Sequence, residues 1–148
     1  MLRLRGGRVS WRPRNETPAD LEREAAAAAV ISQRWACEVQ KLSEGLYGLD
    51  WALFRDDALI GWAEFKCRSE RFPELLLSAA KWETGCRLSA MYQVPFCLVV
   101  RWPDGLYHFT TRGTRPFKVA PRGSSRGQNG DKEPCVLIPT DEFKRIAD

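Results

Sequence analysis

The sequence predicts a single α/β domain in which helices cover the faces of a mixed sheet of about five strands. Three stretches lead to this prediction. Residues 18–35 form an alanine-rich run with high helix propensity. Residues 47–68 are typical of two strands joined by a short polar turn. A second helical pattern then precedes the nearly unbroken apolar run 95–102, which is typical of a strand buried on both faces.

The composition is that of an ordinary globular domain, with 148 residues, 44% hydrophobic and 28% charged. No apolar run approaches the roughly 20 residues of a membrane span, and the N-terminus lacks the apolar region of a secretory signal. The five cysteines are odd in number and form no C-x-x-C pair. We therefore expect reduced, mostly buried thiols, no zinc site, no membrane partner and a cytoplasmic location.

Basic residues are concentrated at two places, although the net charge is only +4. Residues 1–14 contain five arginines and no acid, and residues 111–132 contain six basic residues against Asp131. The remainder must therefore be acidic overall. Two basic flanks around an acidic centre suit a polyanion held at its phosphates. The alternative is a basic tail (residues 1–16) and a flexible Arg/Gly/Ser-rich segment (residues 121–134) that are simply solvated.

Thr17 and Pro18 open the first predicted helix, with Thr17 as the cap and Pro18 at the first helical position. We expect its sheet-facing side to consist of small residues at helical spacing, namely Leu21, Ala25, Ala28, Ala29 and Ser32. Residues 35–42 alternate in polarity and predict a strand, with Glu38 as an edge-strand surface residue. Glu44 and Gly45 are expected to form the next turn.

The hairpin of residues 47–68 is the centre of the prediction. Side chains alternate along its second strand, so Trp62, Glu64 and Lys66 share one face. Placing Asp50 on the Glu64 face of an antiparallel pair requires an odd-length turn centred on Asp57, unless a bulge intervenes. That register sets Asp50 directly opposite Glu64, with Ala52 opposite Trp62 and Phe54 opposite Ile60. Opposed carboxylates repel by up to about 1 kcal/mol. A cation between them would reverse that interaction.

The second half of the chain predicts a β-α-β unit followed by a hairpin. A polar connection follows Arg68, and a helix then begins at Pro73 or after a Ser78 cap and runs to about Gln93. Its predicted packing stripe is Leu75, Ala79, Trp82, Cys86 and Ala90, beside a second stripe of Lys81, Gly85, Leu88 and Tyr92. The next strand, 96–101, should pair in parallel with the second hairpin strand.

The remaining stretches predict smaller elements. A turn at residues 103–105 leads into a strand at 106–111. His108 is expected on the solvent side of that strand, with no carboxylate or hydroxyl partner nearby in sequence. Residues 136–139 predict a short strand, and Thr140 is expected to cap a final helix at 141–147.

Asp50 followed by Glu64-Phe65-Lys66 resembles the D…E-x-K motif of the PD-(D/E)XK nuclease superfamily. The order of elements around these residues, from about Asp20 onward, is similar to that of small nucleases encoded by phages and prophages. The resemblance implies a restriction-endonuclease-like core. It also implies a divalent-metal-dependent DNA nuclease.

The resemblance assigns roles to particular residues. Asp50, Glu64 and the Phe65 carbonyl would hold Mg²⁺, with Mn²⁺ as a substitute, because hard cations prefer oxygen ligands. Lys66 would orient the attacking water or stabilise the transition state. Glu24 on the first helix is the preferred third acid, with Glu22 and Glu38 as alternatives; a solvated helix-start carboxylate is the other interpretation. The expected phosphate contacts are Lys81, which is also placed beside the catalytic residues, Arg68, Arg122 and Arg126.

The expected activity is hydrolysis of DNA phosphodiesters by an endonuclease of phage or prophage origin, either nicking or resolvase-like. Cleavage of both strands would call for a homodimer. The alternative is a non-catalytic DNA-binding or partner-binding phage accessory protein on the same fold. For residues 121–134 two interpretations stay open, a mobile loop or a flap that orders on DNA.

Overall fold

The structure, a computed structural model, describes residues 17–112, 117–122 and 133–148. The elements in chain order are α1 (Pro18–Trp35), β1 (Glu38–Lys41), α2 (Glu44–Tyr47), β2 (Trp51–Arg55), β3 (Ala58–Cys67), β4 (Glu74–Ser78), α3 (Ala79–Tyr92), β5 (Phe96–Trp102), β6 (Gly105–Thr111), β7 (Lys118–Arg122), β8 (Glu133–Pro139), a short 3₁₀ helix (Thr140–Glu142) and β9 (Lys144–Ala147). The predicted α/β class is confirmed.

A six-stranded sheet forms the centre, with the strand order β1-β2-β3-β5-β6-β9. Among the described strands of this sheet only β3 and β5 pair in parallel, so the sheet is mixed as predicted. One hydrophobic cluster lies on the face covered by α1 and includes Ile31 and Trp51. The other lies on the face covered by α3 and includes Trp62 and Trp82. In the part of the chain that the structure describes, no helix is long and apolar enough to cross a membrane.

Helix α1 begins as predicted but buries a different face. The Thr17 hydroxyl accepts a hydrogen bond from the Asp20 amide, and the Asp20 carboxylate accepts one from the Thr17 amide, which completes a capping box. The buried residues are Glu24, Ala27 and Ile31, whereas Leu21 of the predicted stripe is 43% exposed. The predicted stripe was therefore wrong at Leu21, Ala25 and Ala29, which are exposed, while Ala28 and Ser32 are half-buried. Burying the large Ile31 side chain stabilises the helix more than a row of small residues does.

The hairpin has the predicted pairing near its open end and a different one near its turn. Ala52 lies opposite Trp62, as predicted. Asp56 and Asp57 both have positive φ, which is the geometry of a two-residue hairpin turn. A register shift between Leu53 and Phe54 then places Phe54 opposite Leu59 and not opposite Ile60. A bulge therefore replaces the predicted odd-length turn and produces the same register at the open end.

The connection after Arg68 contains a strand that the sequence pattern did not predict. Strand β4 precedes α3, and Ser78 occupies the N-cap position, so the later of the two predicted helix starts is confirmed. A side chain at Gly85 would lie 2.3 Å from the Phe96 ring, so only glycine lets α3 approach β5 this closely.

A second sheet of three antiparallel strands, in the order β4-β8-β7, was not predicted. The predicted final helix is also wrong. The 3₁₀ turn is followed by β9, which pairs with β6 and extends the central sheet, and Phe143 between the turn and the strand is buried. The turn expected at Glu44 and Gly45 was also wrong, because these residues begin the short helix α2. All five cysteines are free and all but Cys67 are buried, as expected.

Candidate active site

Asp50 and Glu64 meet at the open end of the hairpin. Asp50 directly precedes β2, and its Oδ2 accepts a hydrogen bond of 2.9 Å from the Phe65 amide. Its own carbonyl accepts a 2.8 Å bond from the Leu42 amide. Asp50 is 5% exposed and Glu64 only 1% exposed. The sheet therefore holds two carboxyl groups together, away from solvent, at the position that the sequence predicted.

The surroundings of Glu64 strongly disfavour its ionised form. Burial is the main cause, and a hydrogen bond to Asp50 and the charge of Asp50 add to it, so the pKa of Glu64 rises to about 8. The cations of Lys81 and Lys66 oppose this shift. An added cation beside the two carboxyl groups would therefore relieve an unfavourable arrangement of charge.

Lys81 on α3 supplies a cation at this place. Its Nζ lies 3.0 Å from Oε1 and 3.1 Å from Oε2 of Glu64, and its side chain is only 25% exposed. Lys66 lies on the same strand face as Glu64, and burial lowers the pKa of its ammonium group. Glu64 and Asp50 raise that pKa and the cations of Lys81 and Arg68 lower it. The structure thus brings together four of the five predicted catalytic residues.

The fifth, Glu24, lies on the α1 side of the sheet. Its Oε1 accepts a 3.0 Å hydrogen bond from Trp51 Nε1, and its Oε2 accepts one of 3.0 Å from Lys41. The Trp51 ring stacks on Phe65 at 5.5 Å. Glu24 is thereby linked through Trp51 to Phe65, whose amide donates a hydrogen bond to Asp50. The alternatives Glu22 and Glu38 are exposed, and Glu38 occupies an edge strand as expected.

The donor set at the hairpin fits a hard divalent cation. Across residues 17–112, 117–122 and 133–148, no three His, Cys, Asp or Glu side chains form a metal-binding group. Asp50 and Glu64 would offer two carboxylates to such an ion, a small donor set that suits Mg²⁺ because this ion retains several waters. The position of Lys81 supports the fit, since its ammonium group shows that a cation is accommodated beside Glu64.

A cleft of about 280 Å³ opens beside this site. Its lining includes four predicted contact or catalytic residues, namely Lys66, Arg68, Lys81 and Arg122. Three glutamates, Glu70, Glu74 and Glu133, and the aromatic side chains of Phe72 and Trp102 also line it. No sequence pattern singled these out, because the second sheet brings them together from distant parts of the chain. Arg126 lies outside the described residues.

His108 takes no part in the site. It is half-buried, its Nδ1 lies 2.9 Å from the Thr110 hydroxyl, and its ring contacts Trp35 edge-on. The expectation of no hydroxyl partner was wrong, since Thr110 is two positions away on the same strand face. Burial, and to a smaller extent Lys144, lowers the pKa of His108.

The structure has a restriction-endonuclease-like sheet that carries a buried acid pair and an adjacent lysine. This is the arrangement that the sequence resemblance implied for a PD-(D/E)XK nuclease. The family described as "Phage putative PDDEXK endonuclease" matches residues 10–146, and the chain belongs to this family. It is therefore a metal-dependent nuclease of the phage PD-(D/E)XK type, as the sequence resemblance implied.

The chain is also similar to the solved structure of Archaeoglobus fulgidus Hjc, a Holliday junction resolvase from an archaeal hyperthermophile. The TM-score is 0.51 at 13% identity, and the match covers 80% of this chain and 95% of that one. At this identity the likeness shows the fold alone. No curated protein matches the chain.

Proposed function

We propose that the protein is a Mg²⁺-dependent endonuclease that hydrolyses DNA phosphodiester bonds, with Mn²⁺ as a substitute ion. The observation that supports this most strongly is the buried Asp50–Glu64 pair with Lys66 on the same strand face. Asp50, Glu64 and the Phe65 carbonyl would hold the ion. When bound, the ion would neutralise phosphoryl charge and make a hydroxide nucleophile available near neutral pH.

In this proposal Lys66 receives a proton from the attacking water. An ordinary lysine is almost fully protonated at neutral pH and cannot accept one. Burial lowers the pKa of Lys66, which increases the neutral fraction that can do so.

The cations that line the cleft are the proposed phosphate contacts. Lys81 contacts both carboxylate oxygens of Glu64 and lines the cleft, so it would position Glu64 and contact the scissile phosphate. Arg68 and Arg122 would bind flanking phosphates from the cleft wall. Arg126 is assigned to the same function on sequence grounds.

The test is cleavage of supercoiled plasmid and of a four-way DNA junction with Mg²⁺, Mn²⁺ or EDTA, for wild type and Asp50→Asn. We expect metal-dependent cutting that falls at least about 100-fold in the variant, because one of two side-chain ligands is lost. Asp57→Asn is the matched control. It removes the same charge from the far end of the hairpin, and asparagine tolerates the positive φ found there.

Cutting that persists in EDTA or in Asp50→Asn would contradict the proposed site. Salt-dependent DNA binding without cutting under any condition would favour the non-catalytic alternative. Binding of neither substrate would favour an accessory protein that binds another protein.

We further propose resolvase-like or nicking activity in the cytoplasm of the bacterial host. The similar Hjc structure is a Holliday junction resolvase, which makes a branched substrate the first to test. Resolution of a junction needs two cuts, so it would require a homodimer, and sedimentation of the protein with and without a junction checks this. Fractionation of host cells checks the location.

Glu24 is proposed as the third acid of the site in an indirect role. It fixes Trp51, which stacks on Phe65, whose amide holds Asp50. A group hydrogen-bonded directly to a metal ligand typically contributes about 10- to 100-fold to metal affinity, and Glu24 acts on Asp50 less directly, through Trp51 and Phe65. We therefore expect Glu24→Gln to weaken Mg²⁺ binding by about tenfold in calorimetry with the metal alone. Unchanged Mg²⁺ affinity together with a lower Tm would assign Glu24 to stability only. Glu22→Gln, an exposed change on the same helix, is the control.

A further inference from the structure

Phe72 is an exposed aromatic residue on a firmly held loop. Phe72 is 63% exposed and lies in the segment between β3 and β4. The Thr140 hydroxyl donates to the Phe72 carbonyl at 2.8 Å and lies 3.1 Å from the Pro73 carbonyl. The Thr140 amide donates to that same Pro73 carbonyl at 2.9 Å. The backbone that presents the ring is thus bonded to the second half of the chain.

Arg71 fixes the loop from the other side. Its guanidinium group lies 4.6 Å from the centre of the Trp102 ring and 4.5 Å from that of Tyr107. It also donates a 3.1 Å hydrogen bond to the Thr140 carbonyl. Two cation–π contacts and the hydrogen bonds with Thr140 hold the segment in place, so the exposure of the ring does not result from a loose loop.

Phe72 lines the same cleft as the proposed catalytic lysine. Lys66, Arg68, Lys81 and Arg122 line the same cleft, but three glutamates offset most of their charge. Coulomb attraction to phosphates is therefore modest here, and tight binding of a nucleic acid would need a contact of another kind. An aromatic face provides one, because stacking on a base does not depend on charge.

We propose that Phe72 stacks on an unpaired base beside the scissile phosphate, so that the substrate is DNA with unstacked nucleotides, in a single strand or at a branch point. This rests on the proposed nuclease function and names its substrate class. In a continuous duplex every base face is covered by its neighbours. Only an unpaired or splayed nucleotide offers a face to a side chain at the wall of a cleft.

The experiment measures the binding of fluorescent single-stranded, four-way-junction and continuous-duplex oligonucleotides in EDTA, where nothing is cut. We expect Phe72→Ala to weaken binding of DNA with unpaired bases about 5- to 150-fold and of duplex less than about twofold. Phe72→Trp should retain affinity, and Phe72→Leu should resemble Phe72→Ala because it keeps apolar bulk without an aromatic face. If Phe72→Ala loses more affinity for the single strand than for the junction, the unpaired base belongs to a single strand. The reverse result assigns it to a branch point.

Met91→Ala is the matched control, since Met91 is 64% exposed and does not line the cleft. Equal losses on all three DNAs, no loss on any, or full rescue by leucine would overturn the proposal. So would a change from dimer to monomer in Phe72→Ala, because a second copy of the chain would then cover the ring. Plasmid cutting by wild type, measured separately, shows whether the nuclease function stands when the stacking role fails.

Discussion

Lys66→Met is expected to lower kcat for DNA cleavage by about 10²- to 10⁴-fold while Mg²⁺ binding and DNA binding change little. This is the usual contribution of a positioned proton-transfer group. Lys66 shares a strand face with Glu64, and burial lowers the pKa of its ammonium group. A methionine keeps much of the volume of the lysine stem and removes only its nitrogen. Single-turnover cleavage, with Mg²⁺ and DNA binding measured separately, tests the expectation.

Lys66→Arg separates proton transfer from simple charge stabilisation. Arginine keeps a positive charge but does not lose its proton in proteins. We expect this variant to be nearly as impaired as Lys66→Met. Full activity in Lys66→Arg would refute the proton-transfer role and assign the lysine to transition-state charge. Lys144→Met, a change of the same type at an exposed position on β9, is expected to leave cleavage unchanged.

The fold was predictable wherever the information is local. Thr17 and Pro18 mark the start of α1, and the apolar run 96–102 marks the buried strand β5. Side-chain alternation placed Glu64 and Lys66 on one face of β3, and the predicted pairing of Ala52 with Trp62, which sets Asp50 near Glu64, is found. The predicted odd-length turn was wrong, however, and the bulge between Leu53 and Phe54 is what brings the two acids into this register. The catalytic and metal-binding roles of these residues stay predictions.

What could not be predicted depends on contacts between distant segments. Leu75 pairs with Ile138, and this pairing builds a second sheet and the wall of the cleft. No local pattern in residues 69–78 indicates such a partner. The residues after Thr140 have the local pattern of a helix, but they pair with the open edge of β6 and form a strand. This pairing also joins distant segments and could not be predicted locally. The cleft and the exposed position of Phe72 both depend on that second sheet.

Glu64→Gln is expected to abolish cleavage. In the absence of metal, the variant is also expected to gain stability over wild type as pH rises. The pKa of Glu64 is raised to about 8 from an ordinary value of 4.5, mainly by burial. Between these values the native state binds more protons than the unfolded state, so the free energy of unfolding of wild type falls as pH rises. The contribution of the protonated Glu64 carboxyl to the free energy of unfolding is complete below about pH 4.5 and is lost above about pH 8. Glutamine has no such dependence.

Denaturant unfolding in EDTA at intervals from pH 5 to 9 measures this difference. The gap between Glu64→Gln and wild type should widen by roughly 2–4 kcal/mol across the range. Glu83→Gln, an exposed change on α3, should keep the wild-type dependence. Saturating Mg²⁺ should then stabilise wild type by about 3 kcal/mol at 100 times its Kd and leave Glu64→Gln almost unaffected. Parallel curves in EDTA would show that Lys81 and Lys66 already compensate the charge of Glu64, and equal stabilisation by Mg²⁺ would place the ion elsewhere.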